Sequence, residues 1–252
     1  MKHSITVEIC CGSLEDCKTA QSVGADSIEL ITAHLLGGLT PSAGLLYKVK
    51  EQVNLPVNAI VRPRAAGFCY SDEDFEVIRC DAKQFAHLGA DGIVFGFLLP
   101  DGSLDYERCA RFIECIGDCT PVFHRAIDVV KDMPGTAERL ISLGVKRILT
   151  SGGRENALAG ASAICELVQQ CGDRIQIMAG GGIRASNVAQ VIAQTGVKWV
   201  HFGGTSYCED TSTRLNPELN FGTSVLPPNE SYLAVHERTA SNIISNIEPA
   251  GL

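Results

Sequence analysis

Midway along the chain, Val122-Phe123-His124-Arg125-Ala126-Ile127-Asp128 runs from apolar residues into an imidazole, a guanidinium and a carboxylate. An imidazole can shuttle protons near neutral pH. While the segment stays extended, His124 and Asp128 share one side and Arg125 takes the other, facing a neighbouring strand. Glu8 and Glu29 stand inside two earlier apolar runs. Two buried carboxylates can push one pKa upward and divide the work of acid and base. The alternative is a structural network in which Arg62 or Arg125 pairs with them, because a guanidinium fork matches a carboxylate and tolerates burial when paired. His201 is a second imidazole, set earlier in its own apolar run.

A second group of residues suits an anion. Arg62-Pro63-Arg64, Arg125, Ser151-Gly152, Gly180-Gly181-Gly182 and Gly203-Gly204 each follow an apolar run. Glycine lets bare backbone N–H groups approach a phosphate or carboxylate, and a following helix start favours the charge. The alternative is a set of tight turns with no ligand. None of the eight lysines falls where the apolar runs end, which disfavours a Schiff-base aldolase. There is no Gly-x-Gly-x-x-Gly after the first run, no P-loop and no His-x-His pair.

These residues need elements to hold them. Gly24, Gly89, Gly144 and Gly196 lie 65, 55 and 52 residues apart, each between a helix-period segment and a β-rich one. A glycine there fits a left-handed helix C-cap. The spacing predicts eight strands: Ile5–Cys10, Ser27–Ile31, Val57–Arg62, Gly92–Phe97, Val122–Ala126, Arg147–Ser151, Ile175–Ala179 and Trp199–Gly203. Most are continuously apolar, as buried parallel strands are. Ser13-x-x-Asp16 and Ser71-x-x-Asp74 suggest capped helix starts, with further starts at Ser103 or Asp105, Pro134 and Ser186. Strand–helix alternation over this length predicts a (β/α)₈ TIM barrel, with an open doubly wound sheet as the alternative. In such barrels chemistry sits at the carboxyl ends of the strands.

One domain is expected over residues 1–252, with the barrel core at about 5–205 and residues 206–252 forming a mouth-covering loop and a final helix. That long loop, Gly204–Glu230, contains Pro217, Pro227 and Pro228, and the final helix is expected over Ser231–Asn246.

The composition, 45% hydrophobic and 20% charged, suits a folded core. A net charge of −8 argues against nucleic acid and anionic membranes as partners. No apolar run spans a bilayer, and the opening residues do not read as a secretory leader. Eleven scattered cysteines without a Cys-x-x-Cys pair read as small buried hydrophobes of a reducing, cytoplasmic compartment.

Several motifs carry a family resemblance. They include Glu8-Ile9-Cys10-Cys11, Gly24-Ala25-Asp26-Ser27-Ile28-Glu29-Leu30, Gly37-Gly38-Leu39-Thr40-Pro41-Ser42 and Arg62-Pro63-Arg64. Phe68-Cys69-Tyr70-Ser71, Phe123-His124-Arg125-Ala126, Leu149-Thr150-Ser151-Gly152 and Met178-Ala179-Gly180-Gly181-Gly182 complete them. In this order, from residue 5 to about 205, they resemble the CutC copper homeostasis proteins. The resemblance implies a TIM barrel, a cytoplasmic homodimer and a role in copper homeostasis through copper binding. It also implies Cu(I) ligands at cysteines near the ends of the first two strands. Cys10 fits the first place and position 31 holds Ile31. Cu(I) prefers thiolate or thioether, and only Cys69 and Met178 add sulfur near the expected mouth. Three readings follow: copper handling at Cys10, a non-catalytic scaffold whose barrel is only structural, or an enzyme acting on a small phosphorylated or carboxylated metabolite. In the enzyme, Glu8, Glu29, His124 or Asp128 supply acid and base. The arginines, glycine loops and His201 then bind the anion.

Overall fold

Parallel strands buried on both faces close best when helices cover the outside, and this chain does so. A computed structural model describes residues 5–216, 218–219 and 231–247. Eight strands form a closed parallel barrel in chain order: β1 Thr6–Cys11, β2 Ser27–Leu30, β3 Val57–Ile60, β4 Gly92–Phe95, β5 Thr120–Phe123, β6 Arg147–Thr150, β7 Gln176–Gly180 and β8 Trp199–Phe202. Between them run α1 Leu14–Ser22, α2 Ala43–Gln52, α3 Asp72–His87, α4 Tyr106–Ile113, α5 Met133–Ser142, α6 Ala161–Cys171 and α7 Val188–Thr195. After β8 come β9 Thr205–Glu209, β10 Ser231–Val235 and α8 Glu237–Ser245.

Local chemistry sets the joints. Gly24, Gly89, Gly144 and Gly196 all have φ between +70° and +88°, where a side chain would strain the turn from helix to strand. Ser13 and Ser71 accept the N–H groups of Asp16 and Asp74 and cap α1 and α3. Asp105, not Ser103, caps α4. Asp132 caps α5, and Pro134 lies in that helix's first turn. Asp16 also works beyond the Ser13 cap. Its buried carboxylate accepts from Gly12 N (2.9 Å) and Val235 N (2.8 Å), fastening β10 to the start of α1.

Two expectations about element ends are corrected. The fifth strand stops at Phe123, because the His124 side chain accepts the Ala126 N–H and opens a 3₁₀ turn over Arg125–Val129. The segment expected to open the final helix is a strand: Ser231–Val235 pairs antiparallel with β9, and α8 begins at Glu237. Residues 217 and 220–230 of the expected loop, Pro217, Pro227 and Pro228 among them, lie outside the described residues.

The main core lies between strands and helices. Phe95 of β4 packs against Phe97, Phe112 and Phe123 with ring centroids 4.6–5.6 Å apart. Each such burial contributes about 1.5–3 kcal/mol. A separate small cluster, Ile31, Ile60, Val94 and Val122 with Cys10 packed on it, fills the inside of the barrel. Alternation along β1 sends Cys10 to this inner cluster and Cys11 to the outer core.

Candidate functional site

Register inside the barrel decides which polar residues meet. Glu8 of β1 lies opposite His201 of β8, and Cys10 lies opposite Glu29 of β2. Glu8 is 1% exposed and is held from four sides. Asn58 Nδ2 donates at 2.6 Å, Ser27 Oγ at 3.0 Å and Arg147 Nη1 at 3.4 Å, while His201 Nδ1 stands 3.1 Å from Oε1. Arg147 stacks on Trp199, with its guanidinium carbon 3.8 Å from the ring centroid. Arg147 thus takes the place expected of Arg62 or Arg125 beside the carboxylates.

The other imidazole nitrogen of His201 lies 3.5 Å from Glu29 Oε2, so His201 bridges the two glutamates. Burial favours a neutral Glu8. His201, Arg147 and Asn58 overcome this and hold the carboxyl below its ordinary value. Burial likewise works against a charged His201, yet Glu29 and then Glu8 raise it above the usual imidazole value. Glu29 is raised by burial and by the Glu8 charge. The environments therefore push the two carboxyls in opposite directions. Burial, then Glu29, pushes the Cys10 thiol well up. Cys10, Glu29 and His201 each offer a ligand atom, and these atoms lie within 4.8 Å of one another.

This group sits at the bottom of a cavity of ≈ 900 Å³ at the barrel mouth. Arg62, Phe68, His124, Arg125 and Asp128 line its side, with Gly181, Gly182, Gly203 and Gly204 at the loops after β7 and β8. Arg184, and Arg238 and Asn242 of α8, complete the rim. The mouth therefore gathers Cys10, Glu29, His124, Asp128, Arg62, Arg125, His201 and four of the glycines. Other residues named from the sequence lie off it. Glu8 stands behind His201. Arg64 binds Asp74 at 3.2 Å and the carbonyls of Ala65, Gly67 and Cys69. Gly152 packs on Gly160, and Gly180 on Leu149 and His201. Cys69 is exposed and Met178 is buried in β7, and neither lines the cavity.

The pairing of His124 with Asp128 expected from strand alternation is replaced. Asp128 binds Arg125 Nε at 2.8 Å and accepts from Thr150 Oγ1, Ser151 N and Gly153 N, which ties the loop after β6 to the 3₁₀ turn. Arg125 also donates to Ser151 Oγ at 2.6 Å. Arg62 gives its terminal nitrogens to the carbonyls of Leu36, Gly38 and Ala66. It orders the loop after β2 while its charge stays at the cavity wall.

Sequence reasoning missed Arg147 and Arg238. Arg147 opens a fully buried strand, which is itself a signal for a buried partner. Arg238 enters the mouth only once α8 is placed.

The fold and this mouth define a (β/α)₈ barrel with a buried acid–imidazole–thiol floor beneath a cationic rim. A model of the CutC family matches residues 5–206. A "family protein CutC" of Treponema denticola is 46% identical over 228 residues, 90% of this chain and 93% of that protein. The human "Copper homeostasis protein cutC homolog" is 37% identical over 249 residues, 97% of this chain and 91% of that protein. The crystal structure of a CutC protein from Streptococcus agalactiae superposes with a TM-score of 0.75 at 29% identity, covering 79% of this chain and 98% of that one. This chain belongs to the CutC family. Phosphoribosylanthranilate isomerase from Pyrococcus furiosus, at 14% identity and a TM-score of 0.57, shares the barrel fold. Among the described residues no helix is long and apolar enough to cross a membrane.

Proposed function

We propose that this chain serves copper homeostasis by holding a copper ion at Cys10, Glu29 and His201. The observation that carries this reading is the convergence of one thiol, one carboxylate and one imidazole within 4.8 Å at the floor of an open cavity. Thiolate and imidazole both suit copper. Glu8, on the far nitrogen of His201, supplies the carboxylate–histidine support that metal-binding imidazoles use. The set is mixed in softness. Cu(I) favours a second sulfur, and Ile31, buried on the cavity wall, offers none. A reducing compartment supplies Cu(I), which the Cys10 thiolate and the His201 imidazole suit, with the Glu29 carboxylate as the weaker third donor. The eleven cysteines, none of them in a disulfide, support a reducing cytoplasm as its setting. The homodimer that the family resemblance implies belongs to the same reading.

Competition titration of the purified protein with Cu(I) and Cu(II) tests it. One Cu(I) ion binds per chain. Cys10→Ser and His201→Ala lose the site, whereas Cys69→Ser, which changes an exposed thiol off the cavity, keeps it. Binding must displace the Cys10 proton, so affinity rises with pH by about tenfold per unit for each proton released. Copper binding unchanged in Cys10→Ser sinks the proposal.

A further inference from the structure

Most buried polar side-chain atoms of this barrel have partners in the protein. Nε2 of His124 has none, although the ring is 5% exposed and lines the mouth cavity. Its other nitrogen, Nδ1, accepts the Ala126 N–H at 3.1 Å. Nδ1 therefore carries the lone pair, and a neutral ring keeps its one proton on Nε2. Burial, followed by the charge of Arg62, brings the ring's pKa down to about 3, so it is neutral at working pH. It is a fixed hydrogen-bond donor.

The ring has no room to turn away. Phe68 lies against it at a centroid distance of 4.7 Å. On the other side, a Cβ on Gly96 would come within 2.6 Å of Nδ1, so glycine is what lets the ring sit there. A buried donor without an acceptor is costly, and native structures rarely keep one without a use.

The charges around the same cavity point to the missing acceptor. Four guanidiniums (Arg62, Arg125, Arg184 and Arg238) line it against two carboxylates, Glu29 and Asp128, in a chain of net charge −8. Arg62 is met by carbonyl oxygens, which leave its charge uncompensated. Among the described residues Arg184 and Arg238 make no ion pair. A cleft with low-dielectric walls focuses such a local field.

We propose that the mouth cavity binds a small organic oxyanion, a phosphate ester or a carboxylate, one oxygen of which accepts the Nε2–H of His124 while its charge lies among Arg62, Arg125, Arg184 and Arg238. This ligand goes beyond the copper reading and uses none of the three metal donors. The Nε2–H of His124 donates to a lone pair, so a cation or a hydroxyl hydrogen does not complete the site.

The test uses the full chain with chelator present, so that failure of the copper reading leaves it untouched. Calorimetric titration with glycerol phosphate and with malate separates ester from carboxylate. One of the two binds the wild type. His124→Met, which removes the donor at similar length, weakens that binding by about tenfold to a hundredfold. His124→Gln, which restores an N–H donor, stays within about threefold of wild type. Arg184→Gln, a change at an exposed side chain, weakens binding and flattens its salt dependence. Nitrogen NMR of the wild type shows a His124 ring protonated at Nε2 alone from about pH 5 to about pH 8, with Nε2–H shifting as the ligand is added. Failure of both probes to bind wild type, full binding by His124→Met, or a His124 ring titrating near 6.5 overturns the proposal.

Discussion

Replacing Glu8 by Gln removes one negative charge from inside the barrel and leaves the volume unchanged, so no cavity penalty enters. The carboxylate accepts from Asn58 and Ser27, pairs with Arg147 and supports His201. An amide cannot do all of this, since its nitrogen must face one of those donors. Arg147, with a side chain 9% exposed, keeps only Gln176 and the Trp199 face. Breaking a buried charge pair by removing one partner costs about 3–5 kcal/mol. For 252 residues, an unfolding entropy of about 2.1 cal/mol/K per residue gives about 0.5 kcal/mol/K, and hence a fall in Tm of about 6–10 °C. Calorimetry near pH 6 reads the shift, and urea unfolding with unchanged m confirms that the native state lost the stability. Removing Arg147 as well (Glu8→Gln with Arg147→Met) costs less than the two single changes added together, because the orphaned charge leaves with it. A Glu8→Gln melting point within about 2 °C of wild type, about 1 kcal/mol at this size, refutes the ascribed network.

The same network sets a pH window. Glu8 is held below 4.5, so its contribution is present above that pH and is lost as pH falls through its folded value. His201 is raised above 6.5, so its contribution is complete below that pH and is lost as pH rises through its raised value. Glu29, raised above 4.5, adds a loss in the alkaline direction. The unfolding free energy from urea titrations therefore falls as pH rises above about 6.5, by at most about 1.4 kcal/mol per unit per proton, and His201→Gln flattens the slope. A flat wild-type profile contradicts the assignment. Gly96→Ala drives a Cβ into the His124 ring and against Ala126 Cβ. It lowers stability by about 1–3 kcal/mol and releases the Ala126–His124 bond, seen as a changed His124 ring spectrum. A variant as stable as wild type removes the claim that glycine seats the ring.

The barrel was legible because its strands are buried on both faces and four of its helices run into a glycine of positive φ. Runs such as Ile28–Ile31 and Ile148–Thr150 need no partner to be recognised, and Gly24 and Gly89 mark their joints from local sterics alone. The polar site was legible in its residue types and not in its pairings. Parity linked His124 to Asp128, but the His124 ring itself ends the strand by taking the Ala126 N–H, and the parity rule stops with it. Reading only the carboxyl ends of strands passed over Arg147 at the start of β6, although Glu8 lies just as deep and needs a counter-charge there. Ser231–Val235 has no strong period of its own, and it becomes a strand only because Thr205–Glu209 offers an edge. The misses at Arg147 and at Ser231–Val235 share one cause, a partner distant in the chain: Arg147 is 139 residues from Glu8, and Val235 is 219 from Asp16. The proposed copper and oxyanion sites divide along the same line. Cys10, Glu29 and His201 meet through strand register, which the strand assignments bring within reach. Arg238 joins the rim only through a helix whose place on the mouth is set by β9 and β10.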